Sequence, residues 1–110
     1  MKNQISATEL RHKIDILHNV EQSQYDQTWQ VKFTTFAKIF HLMPNSIKFF
    51  EGVEFGNQIS QNYILFCIRF NKNIDKNMRV RLKDKQFLIK KITNLWEKNT
   101  FLELIALEIA

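Results

Sequence analysis

The chain has 110 residues, 45% of them hydrophobic and 25% charged, with a net charge of +5. That length supports one modest core rather than two, and that balance excludes a disordered chain. Ten phenylalanines against one proline and two glycines predict an aromatic core and turns built on asparagine, which tolerates left-handed backbone and caps turns with its own side chain.

In chain order, residues 1–9 read as a loose polar arm. From Leu10 to His18 the residues LRHKIDILH alternate. A strand follows, with Leu10, His12, Ile14 and Ile16 inward and Arg11, Lys13 and Asp15 outward. After a polar loop, a long strand starts at Trp29, with Val31 and Phe33 in the same phase and Phe36, Ile39 and His41 out of register. That slip, near Thr34 and Thr35, predicts a β-bulge or bend. Pro44 stops the strand and Ser46 is a good N-cap, predicting a short helix over Ile47–Gly56 with Ile47, Phe50 and Val53 on one face and Glu51 and Glu54 on the wet side.

Tyr63–Phe70 is apolar apart from Arg69, which suits a strand buried on both faces. The Asn-rich connection after it carries one apolar residue, Ile74, expected to tuck against the end of the fold. Then comes a hairpin. Met78, Val80 and Leu82 form a dry face opposite Arg79, Arg81 and Lys83, and Phe87 and Ile89 precede Lys90 and Lys91. Its turn, at Lys83-Asp84-Lys85, lacks the glycine that tight hairpins favour, which leaves its type open. A second turn over Asn94–Thr100 contains Trp96. The last strand, Phe101–Ile109, is apolar on both sides and must be central in a sheet or paired with a neighbouring subunit, because an exposed edge of this kind aggregates. The expected fold is mainly β: one domain, 1–110, forming a small antiparallel barrel or sandwich of about six strands with one short helix.

The chemistry-bearing residues are few. Cys67, the one cysteine, sits in the most apolar strand and reads as a small buried hydrophobe. His12, on the apolar phase, would be a metal ligand only with His18 and His41, and their spacing matches no known ligand set. Glu51 and Glu54 share a helix face, as acids do on most solvent faces, and no phosphate loop or nucleophile motif is present. We therefore expect no enzyme, metal or cofactor. No apolar run approaches the ~18 residues of a membrane span, and no leader is evident at Met1, so a cytosolic product is expected. Charge is uneven. Residues 69–98 hold ten Lys or Arg against three Asp or Glu, leaving the rest of the chain net negative, which favours an anionic partner for that band.

The opening Leu10-Arg11-His12-Lys13-Ile14-Asp15-Ile16, then Trp29 and Phe36-Ala37-Lys38-Ile39, resemble the start of the head-tail joining proteins (head closure, stopper or adaptor) of tailed bacteriophages. Ile68-Arg69-Phe70, the run Ile74 to Val80, Phe87-Leu88-Ile89 and Leu102-Glu103-Leu104 continue the likeness over nearly the whole chain. It implies a small barrel with a helix, assembled as a homo-oligomeric ring in the virion at the head-tail junction, between the portal or adaptor protein and a tail-completion protein. Before assembly it implies a chain in the host cytoplasm, monomeric when isolated. In such rings a loop can close the DNA channel, and lining residues meet packaged DNA phosphates without reading sequence. On that footing Pro44, Ser46, Phe49, Phe50 and Phe55 are candidates for the channel or partner loop, and Arg79, Arg81, Lys83 and Lys85 for DNA-phosphate contacts. Two alternatives stand beside it: a single-stranded nucleic-acid-binding barrel of the oligonucleotide-binding kind, and a tail-terminator or adaptor protein from the same junction.

Overall fold

The computed structural model describes residues 9–21, 27–41 and 63–109. Six strands appear there: β1 His12–Asn19, β2 Trp29–His41, β3 Tyr63–Arg69, β4 Arg79–Leu82, β5 Lys85–Asn94 and β6 Phe101–Ile109. They close into a barrel in the order β1-β2-β3-β6-β5-β4, every pairing antiparallel. The closing seam, β1 against β4, is short, pairing Asp15, Ile16 and Leu17 with Arg81, Val80 and Arg79. A 3-10 turn lies at Leu95–Glu97, between β5 and β6. The predicted helix over 47–56 lies outside the described residues.

The interior is built from one phase of each strand. Ile14 and Ile16, Ala37, Ile64, Phe66 and Ile68, Val80, Phe87 and Ile89, and Leu102, Leu104 and Ala106 form one buried cluster. At its centre Phe66 meets Phe87 edge to face, with ring centroids 5.3 Å apart. Ile74 packs against this cluster from the connection before β4, as expected. The other phase of β3 and β6 is buried too. Tyr63, Leu65 and Cys67 join Phe101, Ile105, Leu107 and Leu10 in a second cluster on the outer side of the barrel wall. This two-sided burial is why β3 and β6 read as apolar on both faces, and β6 is central between β3 and β5.

Three sequence expectations are corrected. Leu10, expected inward with Ile14 and Ile16, precedes β1 and packs in the outer cluster instead. His12 shares the inward phase of Ile14 and Ile16 but is exposed, because the strand begins there, at the barrel rim, where an inward residue opens to solvent. The slip in β2 falls earlier than Thr34. Ile16 pairs with Phe33 and Leu17 with Val31, so Lys32 is the extra, bulged residue, and Trp29 and Val31 face out while Phe33, Thr35 and Ala37 face in. A second bulge, at Lys90, separates Ile89 opposite Ala106 from Lys91 opposite Ile105 and returns Ile92 to the interior cluster.

Polar side chains fold the connections, as the glycine-poor sequence requires. Asn71 Oδ1 accepts from the Asn73 amide at 2.9 Å, Asp75 Oδ1 from Asn77 at 2.8 Å, and Asn19 Oδ1 from Glu21 at 3.0 Å and Thr28 at 3.3 Å. The hairpin turn is a two-residue turn between the paired Leu82 and Lys85, and Lys83 takes φ 57 there, a left-handed conformation that glycine would adopt without strain.

Candidate functional site

One end of the barrel gathers the start of β1, the end of β2, the start of β3, the β4–β5 turn and the end of β6, as the registers require. Here an open groove of about 640 Å³ runs between β1 and β4. Arg11, His12, Lys13 and Asp15 line one wall and Arg81, Leu82 and Lys83 the other. Four permanent cations therefore face one carboxylate. The barrel closure itself makes this concentration of charge, since β1 and β4 are far apart in sequence.

Asp15 organises the groove wall. Its Oδ2 accepts from Arg81 Nη2 at 2.7 Å and Nε at 3.3 Å, and its Oδ1 from the Thr34 hydroxyl at 2.6 Å. The Thr34 hydrogen bond, with Arg81 second, holds the Asp15 carboxyl below its usual range. Three strands, β4, β1 and β2, are thus tied across the short seam on the outer face. Farther along the same seam the Arg79 guanidinium stacks on Trp29, 4.1 Å from the ring centroid, and donates to Gln86 Oε1 at 3.1 Å.

The four candidate phosphate contacts consequently have different surroundings. Lys83 is exposed at the groove edge. Arg81 lines the groove while paired with Asp15. Arg79 is engaged with Trp29 and Gln86, away from the groove lining. Lys85 reaches Glu108 at 3.8 Å and is largely exposed. Sequence reasoning placed Arg11 and Lys13 outward but missed them as partners of Arg81 and Lys83. Their outward alternation was visible; the β1–β4 pairing was not. Pro44, Ser46, Phe49, Phe50 and Phe55 lie outside the described residues, but the strand ends that flank that segment, His41 and Tyr63, are at the groove end of the barrel.

Among the described residues the other titratable groups lie in separate surroundings. The Cys67 thiol, fully buried, is pushed up to about 11 mainly by desolvation, which leaves little thiolate near neutrality. Burial raises Glu103 as well. His18 pairs with Gln30 in the β1–β2 ladder and His41 ends β2, apart from His12 in the groove. Among the described residues no three His, Cys, Asp or Glu side chains converge as a metal site, and no helix is long and apolar enough to cross a membrane.

The solution structure of protein SF1141 from Shigella flexneri 2a is similar, with a TM-score of 0.69 over 96% of this chain and 98% of that one. At 18% identity that likeness bears on the fold alone. No curated protein sequence matches the chain. The family of phage head completion proteins matches residues 5–109, nearly the length over which the opening strand, the β4–β5 hairpin and the closing strand resemble head-tail joining proteins. The chain belongs to the phage head completion protein family, whose role is structural, at the junction of phage head and tail.

Proposed function

We propose that the protein forms a ring at the vertex through which DNA passes, seated on the portal or adaptor protein and followed by a tail-completion protein, and that the groove end of each barrel faces the channel. The observation that carries this is topological. The basic groove, the β4–β5 turn and both strand ends flanking residues 42–62 share one end of the barrel. An element that closes the channel, drawn from Pro44 to Phe55, is thereby attached beside cations that suit DNA phosphates. Arg11, Lys13, Arg81 and Lys83 neutralise phosphate charge without reading bases, as a channel wall requires. Arg79 serves the seam instead. The single-stranded nucleic-acid-binding alternative calls for aromatic side chains beside the basic groove, and among the described lining residues there is no Phe, Tyr or Trp.

The test is mass by light scattering, for the chain alone and after mixing with its own portal or adaptor protein. A defined ring on the portal is expected. Duplex binding by that ring should lose about two units of salt slope in the Lys13→Ala/Lys83→Ala variant, about 0.9 per phosphate contact. A chain that ignores the portal, yet binds single-stranded oligonucleotides tightly as a monomer, would overturn the proposal.

A further inference from the structure

We infer that subunits of the ring join head to tail, the Trp96 turn of one chain seating on the outward apolar stripe of β2 in a second copy; this rests on the ring reading above. The turn between β5 and β6 is unusual in its backbone. Trp96 and Glu97 both have φ 54, and Asn99 has φ 56, so three residues with side chains hold the left-handed region within four positions. Such conformations persist where the surroundings enforce them. Here they do. Asn94 Nδ2 donates to Asn99 Oδ1 at 2.7 Å and the Asn99 amide donates back to Asn94 Oδ1 at 3.1 Å. The Phe70 amide ties Thr100 to the barrel at 2.9 Å, and Leu95 packs on the outer cluster. The result is a braced turn with Trp96 48% exposed. That large aromatic fills no core position, and tryptophan is the side chain most enriched where protein surfaces meet.

The receiving surface is on the same chain. Val31, Phe36 and Phe40, at 45%, 51% and 40% exposure, lie along β2. In the closed order β1-β2-β3-β6-β5-β4, β2 and β5 are three steps apart in either direction, so this stripe and the turn that ends β5 are on opposite flanks of the barrel. A projecting residue on one flank and an apolar strip on the other make a heterologous contact, the kind that closes into a ring when its rotation closes. Charge agrees. Glu97 is exposed beside Trp96, whereas exposed Lys32 bulges from the strand that carries the stripe. A second copy therefore offers both the apolar and the charged complement.

The experiment uses a Trp96→Cys/Phe36→Cys chain, each single-cysteine variant, and a short bismaleimide, alone and on the portal. Cys67 is buried and does not compete. Only the double variant should give a ladder beyond dimer. Trp96→Gly, which suits left-handed backbone and so keeps the turn, should weaken self-association at least tenfold with no fall in melting temperature. Rings that form equally well with Trp96→Gly and give no ladder overturn this interface and leave the ring reading intact. A chain that assembles neither alone nor on its portal overturns the ring reading, and this interface with it.

Discussion

Asp15 is the side chain on which the closing seam and the groove both depend, and replacing it has a calculable effect. Asp15→Ala removes the acceptor of the Thr34 hydroxyl at 2.6 Å and of Arg81 at 2.7 and 3.3 Å. The Thr34 bond to a charged acceptor contributes about 1 kcal/mol. The Arg81 side chain is 40% exposed, so solvent screening limits that ion pair to about 0.5 kcal/mol. Together the loss is about 1.5 kcal/mol, or roughly 8 °C in melting temperature for a domain of this size. In a double-mutant cycle with Arg81→Ala, the coupling should be about 0.5 kcal/mol.

The pH dependence separates this account from simple loss of packing. The folded Asp15 carboxyl lies below its unfolded value of 3.8, so its contribution is fully present above that value and is lost as pH falls through the folded one. Denaturant melts should therefore give a constant difference between wild type and Asp15→Ala at neutral and mildly acidic pH, shrinking below about pH 4. A difference that stays constant to about pH 3, or no coupling to Arg81, would refute the charged-network account.

Phe66 sits at the interior centre, fully buried against Phe87; Phe66→Ala should cost about 4 kcal/mol, much of a small domain's stability, read as a collapse of the urea midpoint. Lys83→Gly should stabilise the hairpin by about 0.5 kcal/mol, since relief of the left-handed backbone at φ 57 slightly exceeds glycine's entropic cost; a lower melting temperature would contradict this. Glu103, raised by burial and paired across the sheet with Cys67 and Thr93, favours folding most when protonated. That contribution is present below its unfolded value and fades as pH rises through the folded one, so Glu103→Gln should raise the melting temperature at neutral pH, with the gain vanishing in acid.

The parts of the fold legible in the sequence were those set by local alternation. Two-sided burial of β3 and β6, the dry and basic faces of β4, and the inward Ile74 follow from period-two patterning and from the cost of a greasy edge. What escaped was set by pairing between distant strands. The bulge at Lys32 cannot be located from β2 alone, because Trp29, Val31 and Phe33 are in phase by sequence; only Leu17 opposite Val31 and Ile16 opposite Phe33 show where the phase turns. His12 fits the inward phase by sequence, and only the position of the rim exposes it. Arg79 and Arg81 look alike on an alternating strand. One stacks on a tryptophan 50 residues earlier in the chain and the other binds Asp15, and neither partner could be named before the seam was known.

Closure of the barrel also constrains how this protein can meet others. An open sheet joins a neighbour by adding a strand, but here each of the six strands has two partners in the barrel, which confines strand addition to one-sided stretches such as Trp29–Phe36 of β2, whose pairing with β3 starts at Ala37. Association otherwise uses side chains on outer faces and at turns. The described surface sorts them by region: cations around the groove at one end, a braced tryptophan at the far end of β5, and an apolar stripe along β2. The ring proposed above needs three kinds of surface, one toward the channel and two different ones toward its neighbours. Lys83 and Trp96 stand at opposite ends of β5, so altering one should leave the other's role intact: Lys83→Ala should change salt dependence without changing assembly, and Trp96→Gly should do the reverse.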